Sequence, residues 1–390
     1  MLRKAGHSNE VRAIMADYIV PTVRTLKAYS WEDSSEKIAK AHGLEAQAVV
    51  RFDMNTNPYF IAQGQVVSCA KDCASAIAEY PDASYSSLAG TLSEYAGCQE
   101  DELVICAGCD EVLDVTVKAF LGSGRKLVTS EPTYPMAEIC ASALGNVAVR
   151  VQRSKAAGFA IDENEFIEEC KDASLAYICN PNSPTGNFEP INKIIRIAKS
   201  IPCALFVDEA YFEFAGQSVA PFVRECPNLV VGRTFSKAFG LAGARVGYAI
   251  ASRGLVEGME KVRPPNSVSA ISLALAQKAL EEKASMQRNA LALAASRKKL
   301  YSQLQSLGLK VFPSQANFLL VDFGSVKRSE NAYQLLLQKG LVVRDVSRKP
   351  GVEGCLRITI RTDGDNERLA VELEKILQEQ DATKAMIERV

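Results

Sequence analysis

The sequence predicts an α/β protein in which a mostly parallel seven-stranded sheet is sandwiched by helices and joined to a smaller α+β unit. Short apolar runs of strand length alternate with helical stretches from about Gln65 onward, the pattern of parallel strands linked by crossover helices. The run Cys203-Ala-Leu-Phe-Val207 is apolar throughout, as in strands covered on both faces. At 390 residues, 47% of them apolar, the chain is long enough for two domains rather than one.

Taken in order, residues 1–50 read as a charged, helical leader with Trp31 and a loop at Gly43. Seven strands follow, at 103–106, 126–129, 147–151, 175–179, 204–207, 229–231 and 246–250, with helices such as 111–120 and 191–200 between them. After Pro264-Pro265, apolar residues recur every three or four positions from 269 to about 305, with a weak break near Ser285, which predicts a long linking helix. The remainder alternates again: strand 316–323, helix 331–339, strands 341–346 and 355–360, helix 365–378. The expected division is an arm and part of the small domain in 1–60, a large domain in 61–268, and the linking helix with the rest of the small domain in 269–390. Neither an internal repeat nor a low-complexity linker interrupts it.

Composition narrows the function classes. No apolar run reaches the roughly 18–20 residues of a spanning helix, and Met1-Leu-Arg-Lys-Ala-Gly-His7 leads into polar sequence without a signal-peptide core. A net charge of −1 and no basic stripe give no electrostatic case for nucleic acid. Cys106-Ala-Gly-Cys109 has the spacing of zinc and redox sites. With no second close cysteine pair of the zinc-ribbon kind, two histidines (His7 and His42) and an odd count of eleven cysteines, the expectation is no metal, free thiols and a cytoplasmic setting. Both histidines lie in the N-terminal segment, so lysine becomes the natural proton carrier.

The most informative stretch is Arg233-Thr-Phe-Ser-Lys237-Ala-Phe-Gly-Leu-Ala-Gly-Ala-Arg245, which follows the apolar run Asn228-Leu-Val-Val-Gly232. A lysine held between two arginines has its ammonium form disfavoured and can attack an aldehyde as a neutral amine to form a Schiff base. Thr234, Ser236, Arg233 and Arg245 are then placed to hold a phosphate dianion. Upstream, the strand ending in Asp208 carries Tyr211 three residues on. A carboxylate there can pair with a pyridine nitrogen, although alone it reads equally well as a helix cap.

With these segments in hand, the chain resembles the fold-type-I pyridoxal phosphate aminotransferases, and within them most closely the histidinol-phosphate aminotransferases. The resemblance runs from about Leu26 to the end. It rests on Asn55-Thr-Asn-Pro-Tyr59, Tyr80-Pro-Asp82, Ala107-Gly-Cys-Asp-Glu111, Glu131-Pro-Thr-Tyr134, Asn180-Pro-Asn-Ser-Pro-Thr-Gly186, Val207-Asp-Glu-Ala-Tyr211, the Lys237 segment, Val262-Arg-Pro-Pro265 and Cys355-Leu-Arg-Ile-Thr359.

What the resemblance implies is specific. Lys237, Asp208 and Tyr211 would be catalytic. Gly108, Cys109, Asp110, Tyr134, Asn182, Ser183, Thr234, Ser236 and Arg245 would contact pyridoxal 5'-phosphate, joined by Tyr80 reaching across a homodimer interface. Arg357, Arg344, Asn57 and Tyr29, the last from the partner's arm, would meet the substrates. The implied reaction moves an amino group from glutamate to imidazole-acetol phosphate and gives histidinol phosphate, or runs in reverse with 2-oxoglutarate.

Three positions depart from the family pattern. Ser183 stands for the usual asparagine, Phe60 for a glycine, and Ile360-Arg361 for an apolar-glycine pair, which predicts a further cation near the substrate arginine. The alternatives are an aromatic or broad-specificity aminotransferase, a phosphothreonine decarboxylase and a non-catalytic regulatory domain. A dinucleotide fold is disfavoured, since Gly122-Ser-Gly124 follows a helix and lacks a third glycine.

Overall fold

The structure is a computed structural model describing residues 18–26, 29, 32–59 and 63–387; Met1 to His7, Trp31 and Phe60 lie outside the described residues. Twelve strands appear in it: β1 (Val50–Phe52), β2 (Leu103–Cys106), β3 (Lys126–Glu131), β4 (Val147–Gln152), β5 (Leu175–Cys179), β6 (Ala204–Asp208), β7 (Leu229–Thr234), β8 (Gly247–Ala251), β9 (Lys310–Val311), β10 (Phe318–Asp322), β11 (Leu341–Asp345) and β12 (Cys355–Thr359).

Strands β2 to β8 form one seven-stranded sheet in the order β2-β8-β7-β6-β5-β3-β4. All pairs are parallel except those of β8, which runs antiparallel to β2 and β7. The mostly parallel sheet is therefore as expected. Both faces are buried: helix Cys109–Phe120 covers one through Val112, Leu113 and Val117, and helix Ile191–Ser200 covers the other through Ile194, Ile197 and Ala198. The spacing of those isoleucines and alanine at three and four positions lines one helix face, so the helix forms where its apolar stripe can be buried.

The second sheet has five strands in the order β1-β11-β12-β10-β9, with β1 parallel to β11 and the remaining pairs antiparallel. A strand from the first sixty residues thus completes a sheet otherwise built after residue 309. Helices Lys283–Ser306, Val326–Gln338 and Asp363–Ile387 pack on it, burying Leu293, Leu300, Leu336, Leu369 and Leu373.

The expected single helix over 269–305 is two, Ala270–Glu281 and Lys283–Ser306, meeting at Glu282 with φ −99° and ψ 21°. Ser269 caps the first through Ser272 N–H, and the Glu282 carboxylate accepts from Gln65 at the joint. The last helix begins at Asp363, two residues earlier than expected, where the Thr362 hydroxyl accepts the Asp365 N–H at 3.2 Å. In the leader, helix Ser35–His42 ends on Gly43 at φ 66°, as the loop there required.

The carboxyl ends of β5, β6 and β7 and the N-terminus of helix Cys109–Phe120 come together at one place. In open parallel sheets that is where ligands bind.

Candidate active site

A cavity of about 440 Å³ opens there, lined by residues from both sheets. Of the residues singled out from the sequence, Lys237, Asp208, Tyr211, Cys109, Asp110, Tyr134, Ser183, Thr234, Ser236, Arg245, Arg344, Arg357 and Tyr29 line it. Residues separated by more than three hundred positions thus share one space.

The helix end is shaped to receive an anion. Helix Cys109–Phe120 starts on Gly108 at φ 87° with no side chain capping it, so its first N–H groups point at the cavity. Arg245 packs over that turn: a Cβ on Gly108 would lie 2.7 Å from Arg245 Nη2, and one on Gly247 would lie 2.5 Å from Cys109 N. Both positions need glycine so that the arginine and β8 can approach the helix end. Arg245 Nη2 meets Asp110 Oδ2 at 3.3 Å, and Tyr134 donates to Asp110 Oδ1 at 2.9 Å. Asp110 therefore anchors two other site residues as well as standing in the first helical turn. Thr234 donates to Ser236 Oγ at 2.9 Å, placing both hydroxyls beside Arg245.

Arg233 departs from the expectation. It is buried against Glu209, with Nη2 3.0 Å from Oε2, and its guanidinium lies 3.6 Å over the Phe212 ring. Strand β7 extends through Thr234, so neighbouring side chains project to opposite faces. Thr234 faces the cavity and Arg233 faces away.

Burial first, and then the Arg357 guanidinium, lower the Lys237 pKa to about 8, opposed by Asp110 and Asp208. The lysine thus has the perturbed amine expected from its sequence, but burial is the main cause and the foremost charge is that of Arg357. Its Nζ approaches the Met54 carbonyl at 3.4 Å and lies 5.6 Å from the Tyr211 ring centroid. Burial raises the Asp208 pKa to about 6 against hydrogen bonds from Tyr177 and from the Ala210 N–H.

Arg344 and Arg357 are register partners on β11 and β12, so two cations project side by side. Such a pair is unfavourable without an anion between or beside them. Arg344 meets Glu32 at 3.4 Å and lies 5.6 Å over the Tyr29 ring. Among the described residues no carboxylate pairs with Arg357. It donates to Ser183 Oγ at 3.2 Å and to the Asp53 carbonyl, and its buried Nε has no partner. The Ser183 hydroxyl is thus engaged with Arg357.

The structure relocates several expected contacts. Tyr29 lines the cavity of its own chain, edge-on to Tyr134 at 6.3 Å. Asn57 is buried away from the cavity and donates to the Ala238 carbonyl at 2.7 Å, bracing the backbone beside Lys237. Asn182 holds the turn below, donating to Pro132 O at 2.9 Å and Thr185 Oγ1 at 2.6 Å. Tyr80, expected at the partner's site, is 86% exposed and does not line the cavity of its own chain. Arg361 lies at the head of the last helix, 3.9 Å from Asp365, and does not line the cavity, so it supplies no further cation there.

Two residues went unread. Asn55, at φ 54°, donates to the Tyr211 hydroxyl at 2.9 Å and accepts from Thr359 at 3.0 Å. It stands in the same motif as Asn57, and only the fold tells the two apart. Tyr177 donates to Asp208 Oδ2 at 2.9 Å, a contact between adjacent strands that a single sequence does not reveal.

The donor set fits pyridoxal phosphate. A helix N-terminus with two hydroxyls and Arg245 suits the phosphate, Lys237 suits the aldehyde, and the buried Asp208 carboxylate suits the ring nitrogen. Among the described residues no cluster of His, Cys, Asp and Glu could hold a metal ion, and no helix is long and apolar enough to cross a membrane. The eleven cysteines are free thiols.

Comparison with known proteins agrees. The family model for aminotransferase class I and II matches residues 48–376. A histidinol-phosphate aminotransferase of Ruminiclostridium cellulolyticum is 37% identical over 75% of this chain and 82% of its own length. That of Methanococcoides burtonii is 35% identical over 86% of this chain and 92% of its own. The crystal structure of the Sinorhizobium meliloti histidinol-phosphate aminotransferase in complex with pyridoxal-5'-phosphate superposes with a TM-score of 0.83 at 26% identity, covering 93% of this chain and 98% of that one. The chain belongs to the class I and II aminotransferases, pyridoxal phosphate enzymes, and stands there among the histidinol-phosphate aminotransferases.

Proposed function

We propose that the protein exchanges an amino group between histidinol phosphate and 2-oxoglutarate, with Lys237 holding the cofactor and carrying the proton. The observation that carries this reading is a lysine of lowered pKa sharing one cavity with a buried carboxylate and an arginine that no carboxylate pairs among the described residues. Pyridoxal phosphate, when bound, supplies an aldehyde for amino groups and a ring that absorbs an electron pair. Lys237 Nζ, neutral in a sizeable fraction near pH 8, takes the proton from the substrate α-carbon and returns it. Asp208 would hold a proton on the ring nitrogen, and Tyr211, whose hydroxyl accepts from Asn55, would serve the ring oxygen.

Arg357 receives the anionic end of either substrate. Its unpartnered Nε and its position beside Lys237 favour a ligand that brings its own charge. Arg344 supplies a second cation that Glu32 holds until a substrate anion arrives. Arg357→Lys keeps the charge but loses the planar fork, so kcat/KM is expected to fall about 30- to 100-fold with both substrates while the cofactor stays bound. Steady-state kinetics on the two substrates checks this.

The test of the reaction is a substrate panel with 2-oxoglutarate as acceptor. Histidinol phosphate is expected to exceed phenylalanine and dephosphorylated histidinol in kcat/KM by at least about 100-fold, the worth of a phosphate on paired arginines. A preference for phenylalanine would make the protein an aromatic aminotransferase. Carbon dioxide release from phosphothreonine without need of a keto acid would make it a lyase.

The same reading includes a homodimer, supported by exposed Val67, Ile77 and Tyr80 on one stretch of chain. Sedimentation at twice the chain mass checks it. It also includes cytoplasmic residence, supported by the free thiols, and working units of 61–268 and of 269–390 with 1–60, supported by β1 completing the second sheet.

A further inference from the structure

Tyr177 lies on β5 under the cavity, fully buried. Its hydroxyl donates to Asp208 Oδ2 at 2.9 Å, while Asp208 Oδ1 accepts the Ala210 N–H at 3.0 Å. Each carboxylate oxygen therefore has one protein donor, and the plane of the group is fixed from both sides.

The aim of the tyrosine is set by its neighbours. Tyr177 and Phe206 are register partners on β5 and β6, their rings 6.0 Å apart and 13° from parallel. Phe206 occupies space that opens because residue 232 is glycine; a Cβ there would collide with Phe206 Cζ and lie 3.1 Å from Cys109 Sγ. Gly232 seats Phe206, Phe206 stacks on Tyr177, and Tyr177 meets Asp208 along one sheet face.

We propose that Tyr177 is a positioning residue that keeps Asp208 oriented and ionised for the ring nitrogen of the cofactor. The proposal rests on the reading of Asp208 as the partner of that nitrogen. A carboxylate on a dry cavity floor is costly unless its oxygens receive donors. Burial pushes the Tyr177 hydroxyl well up, so it stays neutral and serves as a donor. The other titratable groups within electrostatic reach of Asp208 are Cys109 and Asp110 on the helix, Cys179 on β5, Tyr134, Tyr211 and Lys237. Both thiols and both tyrosines are pushed up and stay neutral, which leaves the Asp110 carboxylate and the Lys237 amine as charged neighbours.

Tyr177→Phe keeps the ring and its stack but leaves Oδ2 without its donor. Binding of pyridoxal phosphate to the cofactor-free protein is expected to weaken about tenfold, the worth of one hydrogen bond to a charged group. The pH midpoint of the visible band of the lysine-bound cofactor is expected to rise, because a ring with less positive charge makes the attached imine nitrogen more basic. The melting temperature is expected to stay close to that of the unaltered protein. Phe206→Leu, which removes the stack and keeps the hydroxyl, is expected to move both readouts in the same direction by less. Unaltered cofactor affinity and an unaltered midpoint in Tyr177→Phe would overturn the proposal. No visible band in the unaltered protein would overturn the reading of Lys237, and this proposal with it.

Discussion

Lys237→Ala is expected to give a folded protein that carries no covalently held cofactor and transfers amino groups at least about 10³-fold more slowly. The magnitude follows from losing both the attachment point and the general base, each worth orders of magnitude alone. The fold should survive, since the amine contributes one long hydrogen bond, to Met54 O at 3.4 Å, and otherwise faces the cavity. Its removal also takes a cation away from Arg357, which lowers the lysine pKa by like charge. Absorption spectra for the cofactor, circular dichroism for the fold and steady-state turnover separate these effects. Turnover within a few fold of the unaltered protein would refute the role of Lys237.

Asp208→Asn carries the second large effect, and stability and activity should move in opposite directions. In the folded, cofactor-free protein the Asp208 pKa is about 6, above its ordinary value of 3.8. Between those values the folded protein binds a proton that the unfolded chain has released. Stability therefore falls as pH rises through that window and stays lower above it. Two units correspond to about 3 kcal/mol as an upper figure, so the cofactor-free Asp208→Asn protein is expected to be more stable than its parent by roughly 1–3 kcal/mol at pH 7.5 and similar near pH 4. Turnover should drop about 10²- to 10³-fold, because a neutral amide cannot keep the ring nitrogen protonated. Denaturant melts at the two pH values and steady-state rates check both halves.

Much of this site was legible in the sequence because its residues sit at strand ends, and strands of buried apolar residues announce themselves. Asp208 ends β6, Lys237 follows β7 by three residues and Cys109-Asp110 opens a helix after β2, so periodicity and motif placed all three. The errors came from neighbours in sequence that part company in space. Reading β7 as ending at 231 left Arg233 in a loop beside Thr234; three more residues of strand turn it to the far face, where Glu209 pairs it. The motif points to Asn57, though the left-handed turn at Asn55 is what aims an amide at Tyr211. Tyr177 was silent because its partner, Asp208, is thirty-one residues away, and their meeting depends on the register of β5 with β6. Arg361 follows the β12 motif in sequence, but the helix begun at Asp363 places Asp365 beside it and withdraws it from the cavity.

The central claim is that Lys237 and Asp208 serve an amino-group exchange in which histidinol phosphate is one partner. The most direct measurement is a single-turnover titration of the pyridoxal-loaded protein with histidinol phosphate, followed by absorbance in the absence of any keto acid. The visible band of the lysine-bound cofactor is expected to disappear as the cofactor takes up the amino group, and 2-oxoglutarate is expected to restore it. A band that persists under saturating histidinol phosphate, or one that fades and is not restored by 2-oxoglutarate, would contradict the assignment.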